Sequence, residues 1–463
     1  MNFQLSTLQG QNNTLVSPSG QLIAGISHGA RLVLRTVPNL GVHLVFTASD
    51  TITKIAWSPL GTFILAVVAS QGIVHIWSAN DADWSCNITV GLSGLSDAIF
   101  HPVRAGRVFV YSDFGIKVDV WDIQAESSCY LRDVKNNCVP VLANTGEKGL
   151  MLSRRAGKDI VHVINVREEF CVLKTITLVG TQDVAGICWS NRGIVAWESP
   201  LSSYIYLYDF EGNMAEKIAV CDNGRQLGIR RVVGPVGGHI AAGCYDGTVQ
   251  VFSVQNGLVL LGKFQTDVFH SATNVMSETL GGDATSRDQN VYIMGGTVPK
   301  EYPVEYRHTT SAVPPSVKPS PPTHLTGPAA LATGPPAAGV GTLKFSPDGQ
   351  FLAAVCDGSP SVLRIFNISH MSVFTLLVHR QPIYDFEWNP AETANRNQLA
   401  IVTGDINVFF WTPTNDNRTI RMKEETFKPT QISWTKDGNS TIVSDNDRVA
   451  CVSLNLNVSN YGG

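Results

Sequence analysis

A short phrase that keeps returning along the chain constrains its fold more than any other feature. The clearest copy runs Leu343-Lys344-Phe345, Ser346-Pro347-Asp348-Gly349, Gln350-Phe351-Leu352-Ala353-Ala354-Val355 and then, after a polar connection, Val362-Leu363-Arg364-Ile365-Phe366-Asn367. Proline pre-sets the second position of a tight turn, and glycine takes the positive φ that closes it. The β-branched and alternating text on either side reads as strands rather than helix. One such unit is a small antiparallel sheet with two apolar faces and nothing to cover them. It requires neighbours.

The neighbours are present. Related phrases occur at Leu15-Val16-Ser17-Pro18-Ser19-Gly20, at Ile55-Ala56-Trp57-Ser58-Pro59-Leu60-Gly61, at Ile187-Cys188-Trp189-Ser190 and at Ile432-Ser433-Trp434-Thr435-Lys436-Asp437-Gly438. Weaker copies surround His101, Asn144, Gly234 and Asn389. Each is followed by a later strand that ends in an aromatic or apolar residue and a polar one, such as Trp77-Ser78, Trp121-Asp122 or Trp411-Thr412. The spacing of about 40–46 residues is that of propeller blades. Nine copies predict an all-β WD-repeat β-propeller of nine blades in one ring. Asn2 to Leu8 precede the first blade and are expected to supply the outermost strand of the last, which would join the chain ends and remove two open edges.

The gap between the sixth and seventh copies is much longer than the period. Its text holds Pro314-Pro315, Pro321-Pro322 and Pro335-Pro336 among Ser, Thr and Ala, which cannot bury enough apolar area to order itself. The expected organisation is therefore blades one to six over residues 1–264, a flexible Pro-rich insertion over 265–339, and blades seven to nine over 340–463. A strand at Asn290-Val291-Tyr292-Ile293-Met294 is expected to dock on a blade edge. Lys318-Pro319-Ser320-Pro321-Pro322 could serve a proline-reading domain, but such short matches are common by chance.

Composition excludes more than it assigns. A net charge of −4 with 16% charged residues supplies no polybasic field for nucleic acid or an anionic membrane. The nine cysteines are scattered without a C-x-x-C pair or histidines at metal spacing, and most sit in apolar strand text as small hydrophobes. His75 and His162 alternate with apolar residues, as packed or surface histidines do. No phosphate-binding, nucleophile-elbow or metalloprotease motif occurs, and Asp113, Asp119 and Asp122 fall on a hairpin where they cap and solvate. No catalytic, cofactor-binding or metal-binding residue is assigned, and an enzyme is not expected. The opening lacks the charged and apolar regions of a secretory signal, and no apolar run is long enough to span a bilayer, so a cytoplasmic location without membrane insertion is expected.

Binding surfaces on rigid scaffolds favour loops and rims. The residues just before each innermost strand are expected on the propeller's upper rim, and among them Lys54, Asp97, Arg230, Arg231, Tyr384 and Asp385 mix both charges with an aromatic. That mixture suits a protein partner. Arg230-Arg231 is similar to the paired arginines of phosphoinositide-binding propellers. However, Ile229 precedes the pair and Val232 takes the place of that motif's glycine, so a lipid headgroup is the weaker reading.

Over nearly its whole length the chain resembles a family of centrosomal and spindle-pole WD-repeat proteins, partners of a coiled-coil anchoring protein of the Msd/SSX-interacting type. The resemblance runs through Met1-Asn2-Phe3 before an immediate first repeat, Gly72-Ile73-Val74-His75-Ile76-Trp77-Ser78, and Asp83-Trp84-Ser85-Cys86. It continues through Ala196-Trp197-Glu198, Tyr204-Ile205-Tyr206-Leu207-Tyr208, Gly243-Cys244-Tyr245-Asp246-Gly247 and the segment Gly339-Val340-Gly341-Thr342-Leu343 after a Pro-rich insertion. It departs at Thr14-Leu15-Val16, at the fourth repeat's missing Ser-Pro turn and at Val236-Gly237-Gly238. The resemblance implies a non-catalytic scaffold at microtubule-organising centres, bound to the anchoring protein and in some lineages to a minus-end-directed kinesin. A general cytosolic adaptor, such as a ubiquitin-ligase receptor or a translation-associated propeller, is the alternative from another class.

Overall fold

The computed structural model describes residues 2–135, 140–143, 146–167, 170–198, 204–220, 228–266, 274–277, 307–308, 339–391, 397–414 and 417–455. They form nine sheets in chain order, each built on a meander in which successive strands pair antiparallel. Blade one, for example, is Asn12–Val16, Leu22–Ser27, Arg31–Thr36 and Val42–Thr47. Blade seven is Val340–Phe345, Phe351–Cys356, Ser359–Asn367 and Ser372–Val378.

The Ser-Pro-Asp-Gly phrase makes the first hairpin of a blade by one repeated device. In blades one, two, seven and nine, Gly20, Gly61, Gly349 and Gly438 sit at φ +75°, +71°, +72° and +67°. Each donates its N–H to the carbonyl three residues back at 2.8 or 2.9 Å. The hydroxyls of Ser17, Ser58, Ser346 and Thr435 accept the N–H five residues on, at 3.1, 2.9, 2.9 and 3.1 Å. A left-handed glycine and a short hydroxyl side chain are what this geometry needs. His101 fills this position in blade three with a ring nitrogen that caps the turn earlier, its Nδ1 accepting from Val103 N and Arg104 N, two and three residues on, both at 3.1 Å.

The weak copies fold as blades too. The fourth keeps only a short inner strand, Val141–Leu142, but Gly146 still donates to Ala143 O at 2.8 Å. In the sixth, Ile229–Val236 turns directly into His239–Cys244 through Gly237 and Gly238, at φ +58° and +77°.

Burial explains the apolar runs. In Phe63–Val68, Ile64, Ala66 and Val68 pack towards blade one while Leu65 and Val67 pack towards blade three. A strand covered on both faces needs a continuous apolar run, which is why these second strands do not alternate. Among the described residues, each buried cluster lies between one pair of consecutive blades. The cluster joining the last blade to the first holds Ile23 and Leu40 against Ile442, Val449 and Cys451. The nine blades therefore close one ring.

Closure also rests on strand pairing, because the first and the last described strands both build blade nine. Asn2–Leu5 pairs antiparallel with Arg448–Asn455, from Asn2 opposite Asn455 to Leu5 opposite Val452, and Gln9–Gly10 continues along the same strand. Leu5 is buried in the cluster between blades eight and nine. Four indoles stitch neighbours at their inner strands. Trp57 donates to Leu15 O at 3.1 Å, and Trp189, Trp388 and Trp434 donate to Val141 O, Lys344 O and Glu387 O, each at 2.9 Å.

Most of the expected insertion, with its Pro-rich text and the strand expected at residues 290–294, lies outside the described residues. A different piece of it docks on a blade. Asn274–Ser277 adds in parallel to the outer strand Ser372–Val378 of blade seven, and Arg307–His308 pairs with it in turn.

Candidate interaction surface

Innermost strands all begin on the same face of the ring, the upper face, and the residues at their starts meet across blade junctions. Lys54 Nζ reaches Asp97 at 2.7 Å between blades two and three. Lys344 Nζ lies 3.0 Å from Asp385 and 2.5 Å from Glu387 between blades seven and eight. Arg230 pairs with Asp357 between blades six and seven, and its guanidinium also lies over the Tyr245 ring, 5.9 Å from the centroid. Between blades four and five, Asp183 takes Lys135 at 2.7 Å and Arg154 at 2.6 Å, and Lys135 also reaches the fully buried Asp159 at 3.0 Å.

Electrostatics follow from that pairing. Burial works against the charged form of Lys344, but Asp385 and Glu387 outweigh it and hold the ammonium above its ordinary pKa. The hydrogen bond from Lys135 holds the Asp183 carboxyl below the usual range. Asp385 also accepts the Ile432 N–H at 3.2 Å, so one carboxylate ties blades seven, eight and nine together.

The six rim residues expected from the sequence therefore divide. Lys54 and Asp97 are brought together, but as a bond between blades. Arg230 and Asp385 are held the same way by Asp357 and Lys344. Arg231 is exposed on the inner strand of blade six. Tyr384 stands 47% exposed at the start of blade eight, its ring packed over Gly404, where a Cβ would collide with it. The three groups lie on blades two and three, six, and eight, and do not converge on one site. Residue type and position alone could not reveal the partners Lys344 and Asp357, which come from blade seven. An ammonium held by a carboxylate across a junction contributes to stacking first, with its exposed edge left for other contacts.

Two apolar side chains on the same face were not legible as rim residues. Leu92 lies in the connection into blade three and is fully exposed, and Phe114 in that blade's second hairpin is 93% exposed. The signal that could have found Phe114 is an aromatic directly before the turn glycine, Gly115.

Groups suited to chemistry are absorbed by packing. His75 is buried, stacks on Trp77 and bonds Ser49 Oγ at 3.0 Å and Asn87 Oδ1 at 2.7 Å. His162 bonds Ser153 Oγ at 2.8 Å and Thr175 Oγ1 at 3.1 Å, with its pKa lowered by burial. Burial pushes the Cys188 thiol up to about 12 and the Cys451 thiol up to about 11, which leaves both as poor nucleophiles at neutral pH. Cys188, Cys244, Cys356 and Cys451 are buried, whereas Cys129 and Cys171 are exposed on the outer strands of blades three and four. Among the described residues, no three or more His, Cys, Asp or Glu side chains gather at metal-binding geometry.

The family described as "WD domain, G-beta repeat" matches residues 41–78 and 330–362, the first running from the outer strand of blade one through three strands of blade two. The chain is a nine-bladed β-propeller in which these two segments match the WD repeat. The propeller is 28% identical over 436 residues to the WD repeat-containing protein WRAP73 of Mus musculus, covering 93% of this chain and 91% of that protein. It is 21% identical over 440 residues to an uncharacterized WD repeat-containing protein of Schizosaccharomyces pombe, covering 90% and 84%. Solved propellers align at lower identity. The Dos1 propeller aligns at 11% identity and a TM-score of 0.49, covering 87% of this chain and 92% of that one. The Cps50 (Swd1) β-propeller domain of Myceliophteria thermophila aligns at 12% and 0.40, covering 96% and 97%.

Proposed function

We propose that the protein is a non-catalytic scaffold at microtubule-organising centres, where it assembles with a coiled-coil anchoring protein of the Msd/SSX-interacting type to hold microtubule minus ends. The observation that carries this reading is sequence likeness along the whole ring rather than at one motif. The likeness to a mouse WD-repeat protein extends over 93% of the chain, through the same strands and turns that carry the resemblance to the centrosomal and spindle-pole family. A rigid closed ring with chemistry-bearing side chains taken up by packing supports a docking role over turnover. A minus-end-directed kinesin would be a further member of the same assembly.

Location and company test the proposal together. A tagged copy expressed at native level should concentrate at spindle poles, centrosomes or basal bodies, and proximity labelling should enrich the coiled-coil anchoring protein. A diffuse signal with ubiquitin-ligase subunits or ribosomal proteins enriched instead would sink it in favour of the adaptor reading.

A further inference from the structure

Blades two and three carry apolar side chains on their upper face that folding does not use. Leu92 is fully exposed, Phe114 is 93% exposed, and Ile116 beside it is more than half exposed. Their segments form one arc. The Ser70 hydroxyl donates to the Asp50 carboxylate at 2.9 Å, Val90 N–H to Gly72 O at 2.8 Å, Asp113 N–H to Ser93 O at 3.1 Å and Asp133 N–H to Ile116 O at 3.1 Å. The surface thus runs without a break from Asp50, past Leu92, Phe114 and Ile116, to Asp133.

Phe114 is disfavoured twice in the isolated ring. Its φ is +58°, a conformation in which an aromatic residue is strained, and its ring stays in water. The turn does not demand an aromatic there. The same hairpin position holds His28 at φ +53° in blade one and Ala156 at φ +50° in blade four. A strained, exposed aromatic beside an exposed leucine marks a contact that another molecule completes.

Charge narrows what that molecule is. Three cations along the arc are paired with carboxylates, Lys54 with Asp97, Lys117 with Asp119 at 2.7 Å and Arg155 with Asp133 at 3.9 Å, while Arg132 keeps its charge over the Tyr130 ring at the far end of the arc. Asp50 accepts only Thr51 and Ser70, and Asp113 has no Lys or Arg at ion-pair distance among the described residues. Convex apolar side chains bordered by uncompensated carboxylates complement an apolar stripe edged with lysine or arginine. We infer that this arc is a docking site for an amphipathic, basic-edged helix of another protein. The site stands on this geometry and charge and does not depend on where in the cell the protein acts.

The full chain, titrated by fluorescence anisotropy with a labelled amphipathic Leu/Lys helical peptide, tests it. The wild type should bind, Leu92→Asp/Phe114→Asp should bind about tenfold more weakly or worse, and Asp50→Asn/Asp113→Asn should bind more weakly with a shallower salt dependence. Leu60→Asp, at an exposed leucine in the first hairpin of blade two on the opposite face, should bind as the wild type does. Unchanged thermal melts of the exposed-residue variants separate lost binding from lost folding. Equal binding by the Leu92/Phe114 variant, or no binding by the wild type, overturns the inference. So does self-association of the wild type that this variant abolishes, because the occupant would then be a second copy of the chain.

Discussion

His101 takes the turn position that Ser58 and Ser346 fill in their own blades, and the exchange has a pH consequence. Its Nδ1 accepts two backbone N–H groups, so the proton sits on Nε2, which is buried without a partner among the described residues. Burial first, then the charges of Arg107 and Arg104, lower its pKa to about 4 from 6.5. The unfolded histidine binds its proton as pH falls through 6.5 and the folded one only near 4, so stability is lost across that window as pH falls, by at most about 3 kcal/mol. His101→Ser should flatten the dependence of the urea midpoint on pH between 7 and 4.5; an unchanged slope would show that other groups set it. The indoles make a second residue-scale case. Trp434→Phe keeps an aromatic ring but removes part of a buried indole and leaves Glu387 O without its donor, which should cost at least about 1–2 kcal/mol in equilibrium unfolding. The turn serines and glycines were legible because local backbone geometry dictates them. Carbonyl partners such as Glu387 O were not, since they lie a full blade away in the chain.

At the level of strands, the ion pairs at the starts of inner strands differ in what they contribute. Lys54 is 41% exposed, so solvent screens its pair with Asp97, and Lys54→Met should change stability by less than about 1 kcal/mol. Lys344 holds two carboxylates at once, and Lys344→Met would leave Asp385 and Glu387 side by side without a cation, at a cost of about 2 kcal/mol. Denaturation of both variants side by side checks the order; equal losses would refute it. The second strands were readable as buried because an apolar run without alternation fits only a strand covered on both faces, as in Phe63–Val68. Rim residues were readable by position but not by role. Lys54, Asp97, Arg230 and Asp385 resemble free docking groups in the sequence, and their engagement appears only when neighbouring blades stand side by side. Phe114 went unread for the opposite reason, because an apolar residue in strand-rich text is expected inside.

For the whole molecule, one ring stands or falls on the strand Asn2–Leu5, which completes a blade built from the other end of the chain. Removing residues 2–8 should lower stability by at least about 2 kcal/mol, the burial of Leu5 alone, and should open the edge of Arg448–Asn455 to association. Thermal melting with size-exclusion chromatography over a range of concentrations reads both effects; a truncated chain that melts as before and stays monodisperse would show that closure lies elsewhere. The amino-acid sequence by itself determined the blade, the period and the number of repeats, because turn chemistry and burial on both strand faces act within a few residues. Only the tertiary structure decided that blade nine meets blade one, which rim charges bind one another, and that Leu92 and Phe114 remain uncovered. Those outcomes depend on which residues become neighbours once nine separate sheets share a single circle, and no local spacing encodes that.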